Sequence, residues 1–176
     1  MEKFCKTDAH NLWWITLVKP IYRNERGNHL ITVLIKDQWA VKTDGSRIHG
    51  ALISRPVRDG CYHVIKRSRS KMWIIRDESI PLSDWPEWDK GIFPKHNDFD
   101  EINLYAANQA AYRLANKGVL VNLNYLIDVF RDGCNYDWQV YNGVDYKSDT
   151  AYAPIIFKAG DDRLAVIMPM TKDGVV

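Results

Sequence analysis

The sequence predicts an α+β fold with two pseudo-repeated halves, each with a helix packed on antiparallel strands. Apolar residues recur at helical spacing behind capping residues near positions 8 and 122. Runs rich in β-branched and aromatic residues, broken by Gly, Asp and Ser, indicate strands and turns. Two further apolar strands joined by a tight turn lie at Pro154–Met168.

The first half begins with a short helix and continues as an antiparallel meander. Thr7 or Asp8 can cap the helix, and Pro20 ends or kinks it. Its apolar side carries Trp13, Trp14, Leu17 and Val18. The meander consists of runs with a period of two at His29–Lys36, Gln38–Thr43, Arg47–Ser54, Cys61–Lys66 and Lys71–Arg76.

The middle of the chain differs in composition. Ile80–Asn97 contains three prolines and an acidic bias, which favours an ordered loop. Asp98, with Glu101 three residues later, forms a capping-box pattern for a helix that runs through Lys117 and ends at Gly118. The apolar stripe of this helix consists of Leu104, Ala107, Ala111 and Leu114.

The second half repeats the order of helix and strands. A short strand is predicted at Val119–Val121, and Asn122 caps a helix that ends at Gly133. The apolar residues of this helix are Leu123, Leu126, Ile127 and Phe130. A strand at Tyr136–Tyr141 precedes the closing hairpin, whose strands are Pro154–Lys158 and Leu164–Met168 and whose turn is Ala159–Asp162.

Charge is distributed unevenly although the net charge is only +2. Residues 19–76 hold 13 Lys and Arg against 4 Asp and Glu, whereas residues 77–101 hold 2 against 8. This asymmetry allows either a basic face for nucleic acid next to an acidic segment, or an ordinary solvated surface.

Several classes of protein are disfavoured. Cys5, Cys61 and Cys134 are odd in number and widely spaced, which predicts reduced, buried thiols in the cytoplasm. No apolar run approaches the roughly 18 residues of a membrane span. No GxxxxGK[ST], HExxH or GxSxG motif occurs, and the five His show no metal-ligand spacing. We therefore predict no enzyme activity and no catalytic residue, metal or cofactor.

Four segments, in order, resemble a known family. They are AVKTDGSRI at 40–48, WPEWDKGIFPK at 85–95, VNLNYLIDVF at 121–130 and AVIMPM at 165–170. They are similar to the ATDGHRL-type segment, the FPDYRRVLPK linker, the FNxxYLLDVL helix and the terminal VVMPMRL of the bacterial DNA polymerase III β subunit, the sliding clamp. The resemblance implies a DNA-clamp-like fold. We assign one clamp-like domain, with a first half to about residue 78, an acidic connection and extra helix at about 79–118, and a second half at about 119–171.

The resemblance also implies a hydrophobic groove that binds short linear motifs of replication proteins. Carried over residue by residue, its lining is Thr43, Gly45, Arg47, Ile48, Pro94, Val166, Met168 and Met170. Met suits such a groove because it adapts its shape to varied partners. The alternative is that these Met and Ile residues belong to the core.

In the family, positive charge on the helical side faces double-stranded DNA inside a ring of subunits. The corresponding basic residues here are Lys19, Arg23, Arg26, Lys66, Arg67, Arg69 and Lys71. Two functions stay open at this point. One is a sliding-clamp-like processivity factor that assembles as a homo-oligomer, of about six copies for a one-domain chain. The other is a clamp-fold adaptor or regulator, of a phage or mobile-element type, that binds replication proteins without encircling DNA.

Overall fold

A computed structural model of the chain describes residues 1–19, 28–84, 100–104, 106–131, 138–142 and 154–170. The chain divides into two compact units, Met1–Trp88 and Asp89–Val176. The boundary between them falls inside the predicted loop Ile80–Asn97, of which Leu82–Asp84 forms a short 3₁₀ turn and residues 85–97 lie outside the described part. The assignment of the chain as one clamp-like domain stays a prediction.

The described part of the first unit contains six strands and one helix. The strands are β1 (Glu2–Cys5), β2 (Val33–Lys36), β3 (Trp39–Thr43), β4 (Arg47–Leu52), β5 (Gly60–Arg67) and β6 (Lys71–Asp77), and α1 spans Lys6–Ile15. The strands pair antiparallel in the order β1-β6-β5-β2-β3-β4. The predicted strands are present and antiparallel, but the predicted meander is wrong at one connection, because β5 pairs with β2 and not with β4. Asn28–Ile31 is a 3₁₀ turn rather than the start of a strand.

Helix α1 packs against one face of this sheet. Its residues Leu12 and Trp14 are fully buried, as are Met72 and Ile74 on β6. The predicted cap is wrong, because the N-cap position is Cys5 and it makes no side-chain capping bond. The Asp8 carboxylate instead accepts hydrogen bonds from the backbone N–H and hydroxyl of Ser54 at 2.8 and 3.0 Å.

Strand β1 was not predicted, and its presence explains the altered helix start. The four residues Glu2–Cys5 pair with β6, so the chain turns directly from a strand into α1. On β1 alternate side chains face opposite sides of the sheet, so that Phe4 is buried while Cys5 is exposed. The prediction of a buried thiol is therefore wrong for Cys5 and confirmed for Cys61, whereas Cys134 lies outside the described residues.

The ladder between β5 and β6 contains one irregularity. Val64 pairs with Ile74 and Lys66 pairs with Trp73, so Ile65 is an extra residue in β5. Such a β-bulge changes which side of the sheet the following residues face. Beyond it, Arg67 lies on the side of α1, where its Nη1 donates to the carbonyl oxygen of Thr16 at 3.0 Å.

The described part of the second unit contains four strands and two helices. They are β7 (Asp100–Leu104), α2 (Ala107–Asn116), α3 (Leu123–Phe130), β8 (Trp138–Asn142), β9 (Ile155–Ala159) and β10 (Arg163–Ile167). The strands pair antiparallel in the order β10-β9-β8-β7, and α2 packs against α3. Among the helices described in either unit, none is both long enough and apolar enough to cross a bilayer.

The predicted helix from Asp98 to Lys117 is wrong over its first turns. Asp100–Leu104 is strand β7, which pairs with β8, and α2 begins only at Ala107. A capping box is a local signal, and here the pairing with a distant strand overrides it. The end of α2 is as predicted, because Gly118 adopts a φ of +76°, the conformation that favours glycine after a helix.

Helix α3 follows the sequence prediction more closely. Its cap is Asn122, whose side chain accepts a hydrogen bond from the backbone N–H of Asn124 at 3.0 Å. Leu126 and Val129 are buried. The ring of Phe130 packs edge-on against Trp138 and Phe157, at centroid distances of 5.9 and 6.0 Å. The predicted end at Gly133 lies outside the described residues.

The hairpin of β9 and β10 is confirmed within one residue at each end. Gly160 at its turn has a φ of +55°, in the left-handed region. The predicted strand at Val119–Val121 reduces to a single bridge, in which Leu120 faces Met170. The backbone N–H of Met170 donates to the carbonyl oxygen of Leu120 at 2.8 Å.

Candidate functional site

The Thr43–Arg47 turn between β3 and β4 is held by its own side chains. The Thr43 hydroxyl donates to the carbonyl oxygen of Arg47 at 2.8 Å and accepts from the backbone N–H of Gly45 at 3.0 Å. One Asp44 carboxylate oxygen accepts from the backbone N–H groups of Ser46 and Arg47 at 2.9 and 3.0 Å. Gly45 has a φ of +89°, which explains the glycine in this motif.

Arg47 links this turn to the end of α1. Its Nε donates to the second Asp44 carboxylate oxygen at 3.0 Å, and its Nη2 donates to the carbonyl oxygen of Leu17 at 3.3 Å. Arg47 is 6% exposed and Asp44 is 1% exposed. A buried ion pair of this kind fixes the geometry of the turn, because breaking it would leave a charge without compensation.

Lys42, next to this turn, is a second buried cation. It is 5% exposed, and its ammonium donates to the carbonyl oxygens of Leu30 and Thr32, both at 3.1 Å. Burial lowers the pKa of Lys42 to about 8, although the nearby Asp44 carboxylate acts in the opposite direction. Lys42 therefore joins the segment before β2 to the sheet.

The groove residues predicted in the first unit differ in how much of each residue is exposed to solvent. Thr43 and Arg47 are buried, and their polar groups take part in the turn. Gly45 is exposed and Ile48 is half-buried. A ligand approaching this turn would meet Gly45 and Ile48 first. Pro94 lies outside the described residues.

The groove residues predicted in the second unit lie at the end of β10. Val166 is buried, whereas Met168 is 44% exposed and Met170 is half-buried. The backbone bond from Met170 to Leu120 holds this segment beside the entrance to α3. Val166 is therefore core, as the alternative interpretation predicts, and the two Met side chains are accessible.

The structure adds exposed apolar residues that the sequence predicted elsewhere: Leu123 and Ile127 on the apolar side of the helix, and Leu120 in the short strand before it. Leu120, Leu123 and Ile127 are 49%, 50% and 39% exposed. Leu123 and Ile127 are four residues apart on α3 and share one side of it. Exposed aliphatic side chains on a short helix are a signal of a contact surface, but helical periodicity alone does not tell them from core residues. We call Leu120, Leu123, Ile127, Met168 and Met170 the Met168 surface.

The predicted DNA-binding residues of the β5–β6 hairpin are exposed but do not form one surface. Arg67 contacts the end of α1, and the Arg69 guanidinium lies over the ring of Trp13 in α1 at 4.6 Å. Lys66 faces the other side of the sheet, where its ammonium lies 5.3 Å from the ring centroid of Trp73.

The other basic residues predicted to contact DNA are Lys19, Lys71, Arg23 and Arg26. Lys19 is exposed two residues after Leu17, and Lys71 is exposed at the start of β6. Arg23 and Arg26 lie outside the described residues. Arg67 and Arg69 contact α1 and its end, and Lys19 follows α1 by four residues. We call Lys19, Arg67 and Arg69 the α1 basic surface.

Cys61 and His63 are chemically reactive side chains that lie two residues apart on β5. Cys61 is fully buried. The Nε2 of His63 forms a hydrogen bond with the Asp77 carboxylate at 2.7 Å. Hydrogen bonds from Ser79, and then the one with His63, lower the pKa of Asp77 to about 2. Within the described part, no group of three or more His, Cys, Asp or Glu could hold a metal ion.

The described fold is that of the sliding clamps, and this confirms the predicted fold class. The sliding clamp of Pseudomonas aeruginosa is similar to this chain with a TM-score of 0.56 and 10% identity, over 97% of this chain and 66% of that one. The DNA polymerase III β chain of Streptococcus pneumoniae gives 0.55 and 13%, over 97% and 64%. The β subunit from Thermotoga maritima gives 0.54 and 8%, over 97% and 65%.

At sequence identities of 8–13%, the similarity between this chain and these clamps is a similarity of fold. The chain spans slightly less than two thirds of the length of the clamps it matches, 64–66% in these cases. No family model and no curated protein matches the sequence. The resemblance found in four short segments is supported by the similarity of the fold.

Proposed function

We propose that this chain is a non-enzymatic, sliding-clamp-like protein of DNA replication in the cytoplasm, which binds partner peptides on an apolar surface and assembles around DNA. The observation that carries this proposal is the clamp fold, which covers 97% of the chain in the structures compared. The residue motifs of the turn at Thr43–Arg47 and of the segment before Met170 support it, because both are the ones expected from the resemblance.

Peptide binding is assigned to the Met168 surface. Its exposed Leu, Ile and Met side chains offer apolar area and few polar groups, which suits capture of a short apolar motif. The resemblance also implies Thr43, Gly45, Arg47, Ile48, Pro94 and Val166 as groove residues. Of these, Gly45 and Ile48 are accessible in the first unit, whereas Thr43, Arg47 and Val166 are buried.

The peptide assignment is tested by fluorescence anisotropy with a labelled peptide that carries a bacterial clamp-binding motif. Met168→Ala and Leu123→Ser should each weaken binding by about fivefold or more, because each removes apolar contact area. Tyr112→Ser is the matched control, since Tyr112 is 70% exposed on α2 outside the Met168 surface. Absence of binding, or equal affinity in all variants, would refute the assignment.

DNA binding is assigned to the α1 basic surface. Cations that contact phosphates bind duplex without sequence preference, and the affinity then falls steeply with salt. Lys19→Glu and Arg69→Glu, both changes of exposed residues, should reduce retention on nicked circular DNA and lower the salt dependence of binding. The wild-type chain and the Tyr112→Ser variant should be retained equally.

The number of copies in a ring follows from the number of domains in each chain. A family ring has six domains, so a one-domain chain would need about six copies. Two compact units and a match to about two thirds of a three-domain clamp instead favour two domain equivalents, and hence about three copies. Sedimentation at micromolar concentration measures this. A strictly monomeric chain that does not bind nicked circles would exclude the ring.

The second candidate is a clamp-fold adaptor or regulator, of a phage or mobile-element type, that binds replication proteins without encircling DNA. The helices of the second unit favour it because they carry little positive charge. Arg113 is the basic residue within α2, and Arg131 at the end of α3 is paired with Asp128 at 3.6 Å. Peptide binding in a monomer without DNA retention would support this candidate over the first.

A further inference from the structure

An apolar patch lies on the face of the first unit's sheet that is turned away from α1. Ile65 is 59% exposed and Ile75 is 44% exposed. Trp73, two residues before Ile75 on β6 and on the same side of the strand, is half-buried. The neighbouring residues Met72 and Ile74 point the other way and are fully buried beneath α1. Three large apolar side chains are thus gathered on the exposed side of β5 and β6.

The bulge in β5 produces this patch. Because Ile65 is the extra residue, β5 presents both Ile65 and Lys66 opposite the single residue Trp73. Residues 73 and 75 of β6 lie about 7 Å apart along the strand, since each residue advances about 3.3–3.4 Å. The isoleucines and the indole therefore form a continuous surface rather than scattered exposed residues.

Positive charge borders the patch. Lys3 on β1 and Lys66 on β5 are the register partners of Trp73, and their ammonium groups lie 5.7 and 5.3 Å from its ring centroid. Both lysines are exposed. The carboxylate of Asp77, two residues after Ile75 on β6, accepts hydrogen bonds from Ser79 and contacts His63. We call Lys3, Ile65, Lys66, Trp73 and Ile75 the Trp73 face.

We propose that the Trp73 face docks an acidic peptide segment of another protein that carries aliphatic or aromatic side chains between its carboxylates. The isoleucines and the indole supply apolar contact area, and the two lysines match the carboxylates. Nucleic acid fits less well, because the two exposed isoleucines can neither stack on bases as aromatic rings do nor bind phosphates. Glu2, the acidic residue of β1, is engaged elsewhere by Arg55 at 2.7 Å.

This surface is separate from the sites of the proposed function. The α1 basic surface lies on the opposite side of the same sheet, and the Met168 surface belongs to the other unit. Lys66, expected from the resemblance to contact DNA, is assigned here to the peptide. The two adjacent residues Lys66 and Arg67 therefore serve different partners.

The test uses the full chain and a short fluorescein-labelled peptide in which Glu alternates with Leu. Binding measured by anisotropy should weaken by about fivefold or more in Ile65→Ser and in Lys66→Glu. Both residues are exposed, so these variants should fold, which circular dichroism checks. Tyr112→Ser and Met168→Ala should bind as the wild type does, which separates this surface from the proposed groove.

Two further probes identify the chemistry of the partner. A peptide with Lys in place of Glu should bind at least about tenfold more weakly if the lysines act by charge. A peptide with Ser in place of Leu should lose binding if the patch supplies the contact area. The proposal is overturned if the acidic peptide does not bind, if Ile65→Ser and Lys66→Glu leave its affinity unchanged, or if single-stranded DNA or anionic vesicles displace it and depend on the same two residues.

Discussion

Replacement of Asp44 by alanine should destabilise the protein more than any single change at its exposed neighbours. The Asp44 carboxylate accepts two backbone N–H bonds and the Nε bond of Arg47, and it is 1% exposed. Each lost hydrogen bond costs about 1 kcal/mol, and removal of one partner from a buried ion pair costs about 3–5 kcal/mol. Arg47 keeps its bond to Leu17, so we expect the lower end, a loss of about 3 kcal/mol.

Urea unfolding followed by circular dichroism measures this loss. With a slope of about 2 kcal/mol per molar urea, the midpoint should fall by about 1.5 M. Asp44→Asn keeps the acceptor for the backbone N–H groups but loses the charge, so its midpoint should lie between those of wild type and Asp44→Ala. Arg47→Met combined with Asp44→Ala should show a coupling energy of about 2 kcal/mol.

Ser46→Ala is the control, because Ser46 contributes its backbone N–H to the turn. If Asp44→Ala moves the midpoint no further than Ser46→Ala does, the turn is not held by the carboxylate. The reasoning would then be refuted, and the Thr43–Arg47 motif would have to be explained by ligand contact instead.

Two other outcomes follow from the described contacts. Asn122→Ala should lower the free energy of unfolding by about 1 kcal/mol in thermal melts, because it removes the cap of α3, while Asn124→Ala should cost less because Asn124 donates through its backbone. Stability that depends on Asp77 should be fully present above pH 3.8 and be lost as the pH falls towards 2, since its pKa is lowered from 3.8 to about 2 in the folded chain. The urea midpoints of wild type and Asp77→Asn should therefore converge as the pH is lowered towards 2. If the two midpoints change in parallel with pH, the hydrogen bonds of Asp77 with Ser79 and His63 do not stabilise the folded chain.

Local signals in the sequence were sufficient for much of the fold. The strands β3 to β6, the cap of α3 and the closing hairpin were predicted because turn residues and alternation mark them directly. Strands β1 and β7 were missed, since each is defined by pairing with a strand distant in sequence. In β7 a local capping pattern pointed to the wrong element.

The candidate sites were less predictable because a residue type does not reveal its exposure. Arg47 is more buried than its residue type suggests, and Ile127 is more exposed. An arginine in a conspicuous motif is buried in a turn, and an isoleucine on a helical apolar stripe is 39% exposed. The opposite directions of Lys66 and Arg67 were also not predicted, because the predicted strand ended at Lys66 whereas β5 continues to Arg67.

The bulge at Ile65 has a consequence for how this strand tolerates changes in length. Val64 and Lys66 already pair with consecutive residues of β6, so a chain without Ile65 would keep the same pairing and leave Lys66 and Arg67 on their present sides. An additional residue between Lys66 and Arg67 would instead place the two cations on the same side of the sheet. Strand β5 can therefore lose Ile65 without loss of its two-sided charge, but it cannot gain a residue between Lys66 and Arg67.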